Sequence, residues 1–184
     1  FDLINSKNID DIVLNLEIKS TPVEDNLTPL PKEMVSIIKQ EIEKSKLEEK
    51  ILISSFDWRI LKEFSIQMPN IARGYLSFQQ NSGVKIEKTI YKNSPWMDLA
   101  LAFKEYDLPR LIKQVGGKVW CPFYRDISKK DVEMAHDEGL VVNVWTVNKE
   151  NDMMQMIEYG VDAIITDYPL VLKEFSEKNN IKWF

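Results

Sequence analysis

Short, branched apolar runs alternate with amphipathic helical segments along almost the whole of this 184-residue chain, and no other feature limits its fold as strongly. "IVLNLEI" (Ile12 to Ile18), "ILISSF" (Ile51 to Phe56), "ARGYLSF" (Ala72 to Phe78), "KVWCPF", "VVNVWTV" and "DAIIT" read as six strands. Between them, Met34, Val35, Ile38 and Ile42 form an apolar stripe at helical spacing, with Pro31 suited to the first turn. Asp57 is the predicted N-cap of a helix that packs through Leu61, Phe64 and Met68. "DLPRLIKQVGG", "DISKKDVEMAHDEG", "ENDMMQMIEYG" and a last segment opened by Pro169 supply four more helices, three of them followed by glycine stops. Strand–helix alternation at this spacing implies parallel pairing through right-handed crossovers. An open doubly wound sheet and a closed (β/α)8 barrel both satisfy it. Residues 79–106 are too long for an ordinary connection and read as a lid, an insertion or a further helix.

Composition removes several function classes. A net charge of −5 provides no basic surface for nucleic acid or anionic lipid. No apolar run approaches the roughly 18 residues of a membrane-spanning helix. Cys121 is the single cysteine, so no disulfide joins two parts of the chain and cysteine usage does not indicate a compartment. The triplet Asn26-Leu27-Thr28 is a glycosylation sequon of a kind that arises by chance. There is no glycine-rich phosphate loop, no Cys/His zinc spacing and no Gly-x-Ser-x-Gly elbow.

What remains is "LNLEIKS". Residues two apart on a strand share a face, so Asn15, Glu17 and Lys19 lie opposite Leu14, Leu16 and Ile18. A carboxylate and an ammonium near the C-terminal end of a parallel strand lie where such folds bind ligands. A surface ion pair on an edge strand has the same spacing. Trp145 is expected mainly as a packing residue that also walls a substrate pocket. His136, the one histidine, lies near a helix C-terminus, where a cation is favoured by the helix dipole, and is expected away from the site face. Asp167 is expected to cap the terminal helix, Cys121 to be an inert core thiol, and Met153, Met154 and Met156 to fill gaps.

"LNLEIKS" (14–20), "ILISSFD" (51–57), "AHDEGLVVNVWTVN" (135–148) and "YGVDAIITDYP" (159–169), in this order, resemble the glycerophosphodiester phosphodiesterase family. The likeness covers most of the chain, residues 79–106 excepted. It implies a (β/α)8 TIM barrel, of which this chain would hold about six of eight strand–helix units in a single, N-terminally truncated domain spanning 1–184. It further implies metal-dependent hydrolysis of glycerophosphodiesters to sn-glycerol 3-phosphate and an alcohol, with a divalent ion, Mg or Ca, held by carboxylates. By position, Glu17 resembles the family's metal-ligating glutamate, and Lys19 its phosphate-facing catalytic lysine. The family's His-Arg-Gly motif, its Glu-x-Asp pair and its His-Asp motif have no counterpart here, and His136 falls in the late "AH" helix instead. Lacking those acid–base histidines, the chain alone is expected to be inactive. The competing reading is a non-catalytic barrel relative that binds a phosphodiester headgroup or a protein partner.

Overall fold

A computed structural model describes residues 1–7, 12–24, 27–79, 89–91, 93–97 and 107–182. Asn26 of the sequon, and most of the 79–106 stretch expected to be a lid, insertion or helix, lie outside the described residues. Six strands form one wholly parallel sheet in chain order: β1 (Leu14–Glu17), β2 (Ile51–Ser55), β3 (Ala72–Ser77), β4 (Val119–Pro122), β5 (Val141–Val144) and β6 (Ala163–Ile164). Among the described residues the helices are α1 (Asp2–Lys7), α2 (Pro31–Ser45), α3 (Trp58–Gln67), α4 (Leu108–Gln114), α5 (Lys129–Asp137), α6 (Glu150–Tyr159) and α7 (Pro169–Lys178). Each strand pairs with the next one in sequence and never skips a place. That order is the one a barrel requires, whereas a doubly wound sheet reverses direction at a switch point.

Local chemistry sets the element ends. Pro31 opens α2, where its missing N–H is not needed. The Asp57 carboxylate accepts from the Arg59 amide at 3.1 Å and caps α3 as expected. Gly139 (φ 73°) and Gly160 (φ 83°) end α5 and α6 in the left-handed region that side chains avoid. Residues 2–7 form α1, and Asn5 Nδ2 donates to the Ser45 carbonyl at the end of α2 (3.0 Å).

The sheet has two unlike faces. Ile51, Ile53, Tyr75, Trp120, Val142 and Val144 pack with Val35, Ile42, Leu61, Phe64, Ile112, Met153 and Met156 of the helices into the main core. Trp58 of α3 meets Tyr75 of β3 edge to face, with ring centroids 5.0 Å apart. Strand register places Asn15, Glu17, Leu52, Ser54, Gly74, Leu76, Val119, Cys121, Val141 and Asn143 on the other face. This is the inner face of a curled half-barrel. In its middle Leu52, Leu76 and Cys121 are buried, whereas Val141 on the same face is 45% exposed. Among the described residues, the two outer strands, β1 and β6, each pair with one neighbour.

Cys121 lies in the core, as expected. It is fully buried, and burial pushes its pKa from 9.0 up to about 12. Native protein at pH 8 should therefore resist iodoacetamide while urea-unfolded protein is alkylated quantitatively, as mass spectrometry would show. Because the folded thiol titrates higher than the unfolded one, stability due to this group is complete below pH 9. It falls as pH rises toward about 12. Fast native alkylation at pH 8 would contradict this burial.

Candidate active-site rim

Glu17 ends β1, and Lys19 follows two residues later on the same face. The Lys19 Nζ lies 3.2 Å from Glu17 Oε1, with the Glu17 side chain 36% and the Lys19 side chain 81% exposed. Such an open pair contributes little stability, on the order of 0–1 kcal/mol. The sequence-level question between ligand-facing pair and surface pair thus becomes one of position. The pair sits at the C-terminal end of a parallel strand, on the inner face, at one open edge of the sheet.

The same end of the next four strands carries a row of aromatic rings. Phe56 follows β2, Phe78 follows β3, Phe123 follows β4 and Trp145 follows β5. Register puts all four on the inner face, and Phe123 and Trp145 bridge directly. Trp145 is half-buried and meets Phe56 edge to face at 5.4 Å, Phe123 at 5.3 Å and Phe78 at 6.3 Å. Its indole N–H donates to the Cys121 carbonyl at 2.9 Å, which fixes the ring plane. Trp145 therefore both packs and faces the rim. The structure brings Glu17 and Lys19 together, and sets Trp145 four strands along on the same face. Phe56 reaches Trp145 from β2, the strand paired with β1.

Asp167 departs from expectation. The N-cap of α7 is Tyr168, with no side-chain cap, and the Asp167 carboxylate instead accepts from Asn148 Nδ2 at 2.7 Å. Asn148 Oδ1 in turn accepts from Thr166 Oγ1 and the Asp167 amide, both at 3.0 Å. The "VN" after β5 is thereby tied to the "TD" after β6. Pro169 at the start of α7 needs no N–H partner, which leaves the aspartate free for this work. His136 is far from the rim in the fold. Its Nε2 lies 2.9 Å from Asp162 Oδ2, which also accepts from the Val142 amide at 2.7 Å, at the N-terminal ends of β5 and β6.

Sequence reasoning gave Asp57 only a capping role. Its carboxylate is fully buried and accepts four hydrogen bonds: from the Arg59 amide, Arg59 Nε (2.9 Å), Arg59 Nη2 (2.7 Å) and Ser20 Oγ (2.7 Å). The bond to Asp57 holds the Arg59 guanidinium above its ordinary value, against the opposing effect of burial. An aspartate directly after the serine-bearing apolar strand "ILISSF" was the available signal.

A hard divalent cation takes six or more oxygens, several of them from carboxylates. Among the described residues no three of Asp, Glu, His or Cys cluster to hold one. Glu17 has Lys19 as its neighbour, and both Asp57 oxygens are committed. The described residues do not make a cation site by themselves.

Comparison with known proteins gives one family. The model of the glycerophosphoryl diester phosphodiesterase family matches residues 6–171. A glycerophosphodiester phosphodiesterase of Caldanaerobacter subterraneus subsp. tengcongensis is 32% identical over 173 residues, covering 94% of this chain and 57% of that protein. The crystal structure of a Silicibacter pomeroyi protein assigned to the glycerophosphoryl diester phosphodiesterases superposes with a TM-score of 0.75 at 32% identity, over 94% of this chain and 52% of that one. The fold is also that of an Oleispira antarctica phosphodiesterase solved in complex with the product sn-glycerol-3-phosphate (TM-score 0.64, 19% identity, 96% of this chain and 58% of that one). The chain spans somewhat more than half the length of these relatives. It belongs to the glycerophosphoryl diester phosphodiesterase family.

Proposed function

We propose that this chain forms the later part of a barrel domain that hydrolyses glycerophosphodiesters to sn-glycerol 3-phosphate and an alcohol in a divalent-metal-dependent reaction. Residues 1–184 contribute six of its strand–helix units. The observation that carries the reading is the placement of Glu17 and Lys19, 3.2 Å apart, at the C-terminal rim of a family-matched parallel sheet. The product complex of the Oleispira relative, which shares the fold, is consistent with that choice of substrate.

Each residue has a role its chemistry permits. Lys19 is the phosphate-facing cation, because negative charge grows on the non-bridging oxygens of a phosphodiester under attack and a nearby ammonium lowers that cost. Its high exposure lets it turn from Glu17 toward an anionic ester. Glu17 is one oxygen ligand of the divalent ion, Mg or Ca, whose remaining ligands come from beyond the described residues. When bound, such an ion supplies Lewis-acid polarisation of a phosphoryl oxygen. Trp145, with Phe56 beside it, offers an apolar wall for the carbon side of the ester and keeps water from that side. His136 sits at the opposite end of the strands and is not the general acid or base of this rim.

The 184-residue chain incubated with a glycerophosphodiester and Mg or Ca is expected to release no sn-glycerol 3-phosphate above background. Joining it to the two N-terminal strand–helix units of the Caldanaerobacter relative should give turnover that a chelator abolishes. In that complete protein, Glu17→Gln and Lys19→Ala should each lower kcat by about 100-fold or more. Robust turnover by the chain unaided, or full activity of both variants, would overturn the reading.

A further inference from the structure

β1 and its registered pairing with β2 end at Glu17, so Lys19 and Ser20 lie beyond the regular ladder. The rim end of β1 is nevertheless gripped by side chains of its neighbour. Ser54 Oγ donates to Asn15 Oδ1 at 2.8 Å, and Ser55 Oγ donates to the Ile18 carbonyl at 2.7 Å. Ser20 Oγ donates to Asp57 Oδ2 at 2.7 Å, and the Ile18 amide donates to the Ser54 carbonyl at 2.7 Å. The anchored residues are Asn15, Ile18 and Ser20, which fall before, between and after Glu17 and Lys19. The anchors themselves are set in the core: Ser54, Ser55 and Asp57 are at most 1% exposed. Asp57 is further locked by its two-pronged bond to Arg59 and by capping α3, and its own amide accepts no freedom because it donates to Ser55 Oγ at 3.0 Å.

Two buried hydroxyls and a buried carboxylate are a costly way to finish a core strand, since each must be desolvated. What the polar end adds is directional restraint on a segment that has run past the regular ladder. We propose that Ser20, Ser55 and Asp57 are positioning residues that fix the backbone under Glu17 and Lys19, so that the carboxylate and the ammonium present themselves to a phosphodiester in one arrangement. The inference rests on the reading of that pair given above. None of the three side chains need touch substrate; they act through β1. Preorganisation of this kind matters because small displacements of a reacting group cost large factors in rate.

The test is amide hydrogen exchange by NMR on the 184-residue chain. In Ser20→Ala and in Ser55→Ala, the Ile18 amide should exchange roughly five- to tenfold faster, while core amides such as Val142 keep their wild-type rates. Ser20→Thr retains the hydroxyl and should restore the wild-type rate at Ile18. Ser20 is only half-buried, so its variants report even if Ser55→Ala folds poorly. In the complete protein, Ser20→Ala should lower kcat roughly tenfold with KM within about twofold, and Ser20→Thr should recover it. Unchanged exchange at Ile18 in both alanine variants, or equal acceleration throughout the chain, overturns the positioning role. These exchange readouts do not involve turnover, so full activity of Glu17→Gln and Lys19→Ala would remove the reading of the pair separately.

Discussion

Replacing Asp57 with alanine is expected to cost roughly 2–4 kcal/mol of folding stability, read as a lower urea midpoint with an unchanged slope. Three losses combine. α3 loses its side-chain cap, and Ser20 loses the acceptor that ties the loop after β1 to the end of β2. The Arg59 guanidinium, about one-third exposed, loses the carboxylate that it meets through two nitrogens and must find water or another partner. Because Arg59 is partly exposed, solvent recovers some of that charge, which keeps the figure below that of a fully buried broken pair. Adding Arg59→Ala to Asp57→Ala should cost less than the sum of the single changes, since the stranded cation is then absent. A loss below about 0.5 kcal/mol for Asp57→Ala would mean that the buried carboxylate is not a structural hub.

Gly117→Ala should be nearly as damaging, for a steric reason. Gly117 lies in the short link between α4 and β4, and its amide donates to the Ile112 carbonyl at 2.8 Å. A Cβ there would stand 2.4 Å from Ile112 Cγ2, 2.7 Å from Tyr75 Cε2 and 2.9 Å from the Ile112 carbonyl oxygen. Ile112 and Tyr75 are both buried, so neither can swing into solvent, and the backbone oxygen can move only with the helix. Overpacking of this kind costs roughly 2–3 kcal/mol. Gly160→Ala provides the contrast. At φ 83° it has open space around the added carbon, so only the left-handed backbone penalty of about 1 kcal/mol applies. Thermal melting of the two variants side by side checks the distinction. Equal losses would mean that crowding at 117 is relieved without cost.

Alternation of branched runs and amphipathic segments was sufficient to place all six strands, because a parallel strand covered on both faces must be nearly all apolar. β2, buried at every position, is the clearest case. The strand ends were less legible. "DAIIT" is a two-residue strand, because past Ile164 pairing turns irregular: the Ile165 amide bonds to the Val144 carbonyl, and the Ile165 carbonyl accepts from Val147. Asp57 was readable as a cap, because a cap is a local arrangement. Its link to Ser20 spans 37 residues and leaves no periodic trace. Asp167 was misassigned for the same reason, because its partner Asn148 lies on the preceding strand unit, and local spacing favoured the nearer helix.

From the sequence came the face that Glu17 and Lys19 share, since side-chain direction on a strand follows from a period of two and requires no knowledge of neighbours. The choice of a curled sheet over a reversing one, and the gathering of Phe56, Phe78, Phe123 and Trp145 along one rim, belong to the tertiary structure. Strand order and register are set by which surfaces bury one another. That depends on contacts between residues remote in the chain, about which local pattern is silent.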